Sequence, residues 1–110
     1  MIRLEAVNGQ ITQANAGKVV ADQLSAHAKN LVDLCGSTDN DVNTFAATSD
    51  TSSVYFYDTD DLTVGTVNGG ATCITTTQTG VTALAGDVEL HTGTDLDLQQ
   101  AVQAGVLIRL

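Results

Sequence analysis

Val88-Glu-Leu-His-Thr-Gly-Thr-Asp-Leu-Asp-Leu-Gln-Gln-Ala-Val-Gln-Ala-Gly105 decides the fold. It opens on an apolar-x-Leu triplet and turns through polar residues at Gly93. It then alternates again over Leu96-Asp-Leu98 and closes on Gln-Ala and Ala-Gly pairs. The start of the chain, Ile2-Arg-Leu-Glu-Ala-Val-Asn-Gly-Gln-Ile-Thr-Gln-Ala-Asn-Ala-Gly17, follows the same plan. The triplet Ile-Arg-Leu returns as Ile108 to Leu110, so Val88 to Ile108 is one repeat of 20 residues. A short strand buries one face and is not stable alone. Repeated at a fixed period, such strands stack at roughly 4.8 Å and each pass covers the last. The expectation is an all-β parallel β-helix (β-solenoid), a single domain over residues 1–110, with about five coils at this period. Val88, Leu90, Leu96 and Leu98 then face a shared apolar core while Glu89 and Asp97 face solvent. Glycines mark the corners, where the backbone needs positive φ.

Upstream of that stretch the β signal continues. Asp41-Val-Asn-Thr-Phe45 and Leu62-Thr-Val-Gly-Thr-Val67 alternate at period two, and Ser53-Val-Tyr-Phe-Tyr57 is β-branched and aromatic. Ile74-Thr-Thr-Thr-Gln78, Val81-Thr-Ala-Leu84 and Val106-Leu-Ile-Arg-Leu110 read as further short strands. One segment competes. Val20, Leu24, Ala28, Leu31 and Cys35 fall at helical spacing between Gly17 and Gly36, which taken alone is an amphipathic helix over Lys18–Cys35. That helix would make the chain a free-standing small α+β protein, a ligand-binding module or an unidentified enzyme. The rival for the same residues is three short strands, around Val19-Val20, around Gln23-Leu24 and over Leu31–Leu34. The repeats elsewhere favour the strands.

Composition fits stacked small aliphatics. The chain is 43% hydrophobic, which argues against disorder, yet it has two Phe, two Tyr and no Trp. Proline is absent, so turns fall to Gly, Asn and Asp. The net charge is −9, with only Arg3, Lys18, Lys29 and Arg109 basic. Phosphate neutralisation supplies most nucleic-acid affinity, so nucleic acid is not an expected partner, and an anionic membrane surface is disfavoured on the same ground. No apolar run approaches the roughly 18 residues of a spanning helix, so no membrane insertion is expected. Met1 to Glu5 has no signal-peptide character, so targeting would have to be supplied by sequence elsewhere.

Asn8-Gly-Gln-Ile-Thr-Gln13, Asp41-Val-Asn-Thr-Phe-Ala-Ala47, Val54-Tyr-Phe-Tyr-Asp58, Leu62-Thr-Val-Gly-Thr-Val-Asn-Gly69 and Gly86-Asp-Val-Glu-Leu90 resemble the long repeats of bacterial filamentous-haemagglutinin-type, two-partner-secreted exoproteins. The resemblance is clearest from Asp41 to Gly105. It implies a right-handed parallel β-helix, export to the cell surface or the medium, and an adhesive surface whose partner is a host receptor or a glycan. A structural or adhesive repeat segment without catalysis is the function expected. Bare first and last coils, Ile2-Arg-Leu4 and Val106 to Leu110, further predict end-to-end self-association.

No catalytic, cofactor-binding or metal-ligating residue is expected. Asp58-Thr-Asp-Asp61, with Asp39-Asn-Asp41 behind it, is the densest acidic cluster, but its order matches no Ca²⁺ loop, and solvated turn carboxylates are expected. Glycoside hydrolysis would need paired carboxylates in a cleft with aromatic walls and basic partners, which this composition disfavours. His27 and His91 lack paired zinc spacing. Cys35 and Cys73 stand alone and read as buried or half-buried thiols, with neither a disulfide nor a Cys–His pair set by spacing. Asn68-Gly-Gly-Ala-Thr72 lacks the Lys of a phosphate loop and reads as a turn.

Overall fold

Alternation becomes parallel pairing in the computed structural model, which describes residues 1–110. The chain passes five times through the same two sheets. The first pass holds β1 (Ile2–Ala6) and β2 (Ile11–Thr12), the second β3 (Val20–Ala28) and β4 (Val32–Leu34), the third β5 (Asp41–Ser49) and β6 (Val54–Asp58). The fourth holds β7 (Leu62–Val64), β8 (Thr66–Val67), β9 (Gln78–Thr79), β10 (Val81–Ala83) and β11 (Val88–Thr92). The fifth holds β12 (Leu96–Leu98), β13 (Val102–Ala104) and β14 (Ile108–Arg109). A long sheet runs β1-β3-β5-β10-β13, with β7 and β12 extending it beside β5, and a short sheet runs β14-β11-β6-β4-β2. All pairings in both are parallel, and there is no helix.

Register aligns the apolar positions into columns. Ile2, Leu24, Phe45, Val64 and, through Val64, Leu98 form one. Leu4, Ala26, Ala47, Val81 and Val102 form a second, and Ile11, Val32, Val54, Val88 and Ile108 a third, in the short sheet. The two sheets share one core of 16 buried residues, with the Phe45 and Phe56 rings stacked across it at 4.3 Å. Small residues such as Ala26 and Ala47, both fully buried, let that core close with so few aromatics.

Lys18–Cys35 forms β3 and β4, the strand reading that the repeats favour over the amphipathic helix. Leu24 and Ala28 stand four apart, a spacing that satisfies period 3.6 and period 2 alike. Ala26 separates the two, because it would lie on the opposite side of a helix yet is 0% exposed. The two short strands expected around Val20 and Leu24 merge into one of nine residues.

Three further expectations need correction. The 20-residue step holds between Val88 and Ile108, but the opening of the chain is out of phase with it: Ile2 and Leu4 lie in the long sheet, Val88 and Leu90 in the short one. Val88 and Leu90 are buried, whereas Leu98 points along its column with no pass beyond it and is 45% exposed. Corner glycines do not serve positive φ. Only Gly80 has it, at 74°; Gly93 is needed because a Cβ there would run into the Thr59 carbonyl of the previous pass.

The fourth pass holds the largest departure. Phe45 pairs with Val64, and Ala47 pairs with Val81, so the whole of Gly65–Gly80 stands opposite the single residue Ala46. That segment is an antiparallel hairpin, β8 against β9, and Ile74 to Thr77 form no strand. Its base is closed by Gly80 N–H donating to Gly65 C=O at 2.9 Å. It folds back over β5 and β3, and Arg3 Nε in the first pass donates to Asn68 C=O at 2.8 Å. Val67, on the hairpin's own strand β8, is fully buried, and the outward-facing Ser25 and Ala46 are buried beneath the hairpin.

Candidate functional site

The short sheet has no such cover. Its outward positions line up by register as Asp33, Tyr55, Glu89 and Arg109, drawn from passes two to five. Two residues further along each strand, on the same face, stand Cys35, Tyr57 and His91, with the Tyr57 and His91 rings stacked at 4.2 Å. Between these rows lies a cleft of about 360 Å³, the larger of two on the molecule, with Leu110 among its lining residues.

Charge in the cleft is mostly negative. Arg109 Nη1 lies 3.4 Å from Glu89 Oε1 and 3.5 Å from Asp87 Oδ2, so its cation is shared between two carboxylates. Asp33 Oδ1 accepts the Cys35 N–H at 3.1 Å. The Cys35 thiol is pushed up to about 11, first by desolvation against the cleft wall and then by the Asp33 and Glu89 carboxylates. Contrary to the expected buried or half-buried state, both cysteines are exposed and free, and Cys73 sits on the hairpin between β8 and β9. Cys35 and His91 do line the same cleft, but a thiol held protonated at neutral pH is the reverse of an activated nucleophile.

A second polar cluster fills the turn from the short sheet back to the long one. Asn40, fully buried, donates to the carbonyls of Leu34 and Tyr57 at 3.0 Å each and accepts the Val19 N–H at 2.9 Å and the Gln13 side-chain N–H at 2.6 Å, tying three passes together. Asp58 is 0% exposed rather than solvated. Its carboxylate accepts the N–H groups of Val42 at 2.9 Å and Asp60 at 3.1 Å, and burial pushes its pKa up to about 6. Asp61, at the surface, accepts from the Thr94 hydroxyl and the Asp95 N–H of the next pass, which hold it below the usual carboxylate range. Asp58 and Asp61 thus cap backbone N–H groups, and nowhere do three His, Cys, Asp or Glu side chains converge as metal ligands. His27, in a row with Glu5 on the outer face of the long sheet, bridges Glu5 at 3.5 Å and Asp50 at 3.0 Å.

Sequence reasoning missed the cleft. It sought aromatic walls and basic partners near paired carboxylates, and the structure assembles Tyr55, His91, Arg109, Asp33 and Glu89 from four passes. Their only sequence signal is position: each stands between two buried apolar residues of a short strand, or beside the strand's end. No family model, curated protein or solved structure matches this chain.

Proposed function

We propose that the chain is a segment of a right-handed parallel β-solenoid, acting as a structural and adhesive repeat unit of a larger secreted or cell-surface protein of the filamentous-haemagglutinin type, without catalysis. One observation carries this reading. The interior columns are apolar from one open end to the other: Leu4 to Val102 in the long sheet, Ile11 to Ile108 in the short one. Passes of this kind are made to be continued, by more chain or by another copy. Right-handedness is the rule for crossovers between parallel strands of one sheet.

For the 110-residue chain, the partner that fits its open ends is a second copy of itself. Head-to-tail stacking sets Leu4 of one molecule over Val102 of the next and Ile11 over Ile108, covering Val106 and Ile108, now 74% and 41% exposed. The contact is heterologous and open, so it builds short filaments rather than closed dimers. The net charge of −9 opposes it and is screened by salt. Sedimentation velocity at low and high ionic strength tests the proposal. Association should rise with salt and be suppressed by Ile108→Lys. A monomer under both conditions at high concentration overturns it.

A further inference from the structure

We propose that the cleft on the outer face of the short sheet binds a small organic cation, an ammonium or guanidinium group carried on an apolar body. Register sets Tyr55 between Asp33 on one neighbouring strand and Glu89 on the other, each roughly 4.8 Å away at strand spacing. An aromatic ring attracts a cation to its face, and a carboxylate on each side supplies the opposite charge and charge-assisted hydrogen bonds. The largely apolar lining leaves room for the body of the ligand, and about 360 Å³ is at the small end of small-molecule sites.

Two side chains in the cleft respond to the sign of this charge. The Cys35 thiol, two residues along from Asp33 in the same cleft, is held protonated first by desolvation and then by the Asp33 and Glu89 carboxylates. Arg109 is a guanidinium already drawn to this wall by its own chain. Its contacts with Glu89 and Asp87 are 3.4 and 3.5 Å, long for ion pairs, and its side chain is 54% exposed, so a better-seated cation can compete for Glu89. An anion would meet a single arginine already compensated by two carboxylates. The overall charge of −9 concentrates cations around the molecule.

The test is titration of the 110-residue chain with phenethylamine and agmatine, followed by amide resonances of Tyr55 and Glu89. Benzoate and methyl glucoside serve as the anionic and neutral comparisons. Both cations should give saturating shifts with a Kd of roughly 0.1–10 mM, while the comparisons give none. Asp33→Asn and a rise to 0.5 M salt should each weaken binding by about three- to ten-fold. Arg109→Ala should tighten it by about two- to five-fold, because Glu89 loses its internal competitor. Circular dichroism of both variants checks that the sheets remain. The proposal is overturned by the absence of saturation with either cation, or by benzoate or methyl glucoside binding as well as the amines. It is equally overturned by an unchanged response in Asp33→Asn, or by weaker binding in Arg109→Ala. It stands apart from the stacking reading, which sedimentation tests without any ligand.

Discussion

The two sheets carry opposite kinds of outer face. On the long sheet the central outward residues are Ser25 and Ala46, small side chains at 2% and 0% exposure because a hairpin lies over them. On the short sheet the outward row is Asp33, Tyr55, Glu89 and Arg109, long or charged groups that leave a cleft between them and carry no cover. In a strand whose inner face is fixed by the core, the size and polarity of the outer residues encode what lies on top. A small pair asks for a lid, and a row of mixed charge and aromatic surface presents itself.

The sharpest way to break this contrast is to put a charge under the lid. Ala46→Lys buries an ammonium in a space filled by a methyl group and should destabilise by about 3 kcal/mol or more in urea unfolding, or displace the hairpin outright. The matching Tyr55→Lys on the open face should stay within about 1 kcal/mol. Equal effects at the two positions would erase the distinction between covered and open faces.

Asp58 lies where the chain leaves the open sheet for the covered one, and its effect depends on pH. Its pKa of about 6 in the folded protein is above the unfolded value of 3.8, so the folded state binds more protons between these values. Asp58 therefore adds stability fully below pH 4 and loses that contribution as pH rises through about 6, a swing on the order of 1–3 kcal/mol. Asp58→Asn should remove this part of the pH dependence. Parallel profiles for wild type and variant between pH 4 and 7 would refute the assignment.

Trimming the lid tests it more gently. Val67→Ala removes buried methyl groups and should cost about 1–2 kcal/mol, with faster hydrogen exchange confined to Gly65–Gly80 and the strands below. Exchange quickened throughout the short sheet instead would show that the lid and the core unfold as one unit. The smallest effect belongs to the open face. Glu89→Ala should change the urea midpoint by less than about 0.5 kcal/mol equivalent, because its contact with Arg109 is a surface pair.

Legibility in the sequence follows the same divide. Strands whose inner residues alternate without interruption, Val54 to Asp58 and Val88 to Thr92, are visible because period two has no local rival there. Lys18–Cys35 is ambiguous because four-residue spacing serves helix and strand equally, and only the burial of Ala26 separates them. The hairpin is hidden because Thr66-Val67 and Gln78-Thr79 continue the β-prone composition of their neighbours. Its true marks are Phe45-Ala-Ala47, three consecutive buried residues where alternation demands two, and the glycines at 65 and 80. The cleft is lost for a related reason. Asp33 to Tyr55 is a step of 22 residues and Tyr55 to Glu89 one of 34, so the row becomes periodic only after the hairpin is subtracted.

The hairpin leaves and re-enters the long sheet at one position, and the register of Val81, Val88 and Leu96 on the previous pass is undisturbed. The loop's length is thus uncoupled from the scaffold's geometry. Closing a longer excursion costs little, about 0.6 kcal/mol for each doubling. Asn68 to Thr77 can therefore vary in sequence and size while the stacking stays constant, which makes this point a natural graft site. Foreign peptides inserted between Gly69 and Thr77 would be displayed on the flank of the molecule without renegotiating its core.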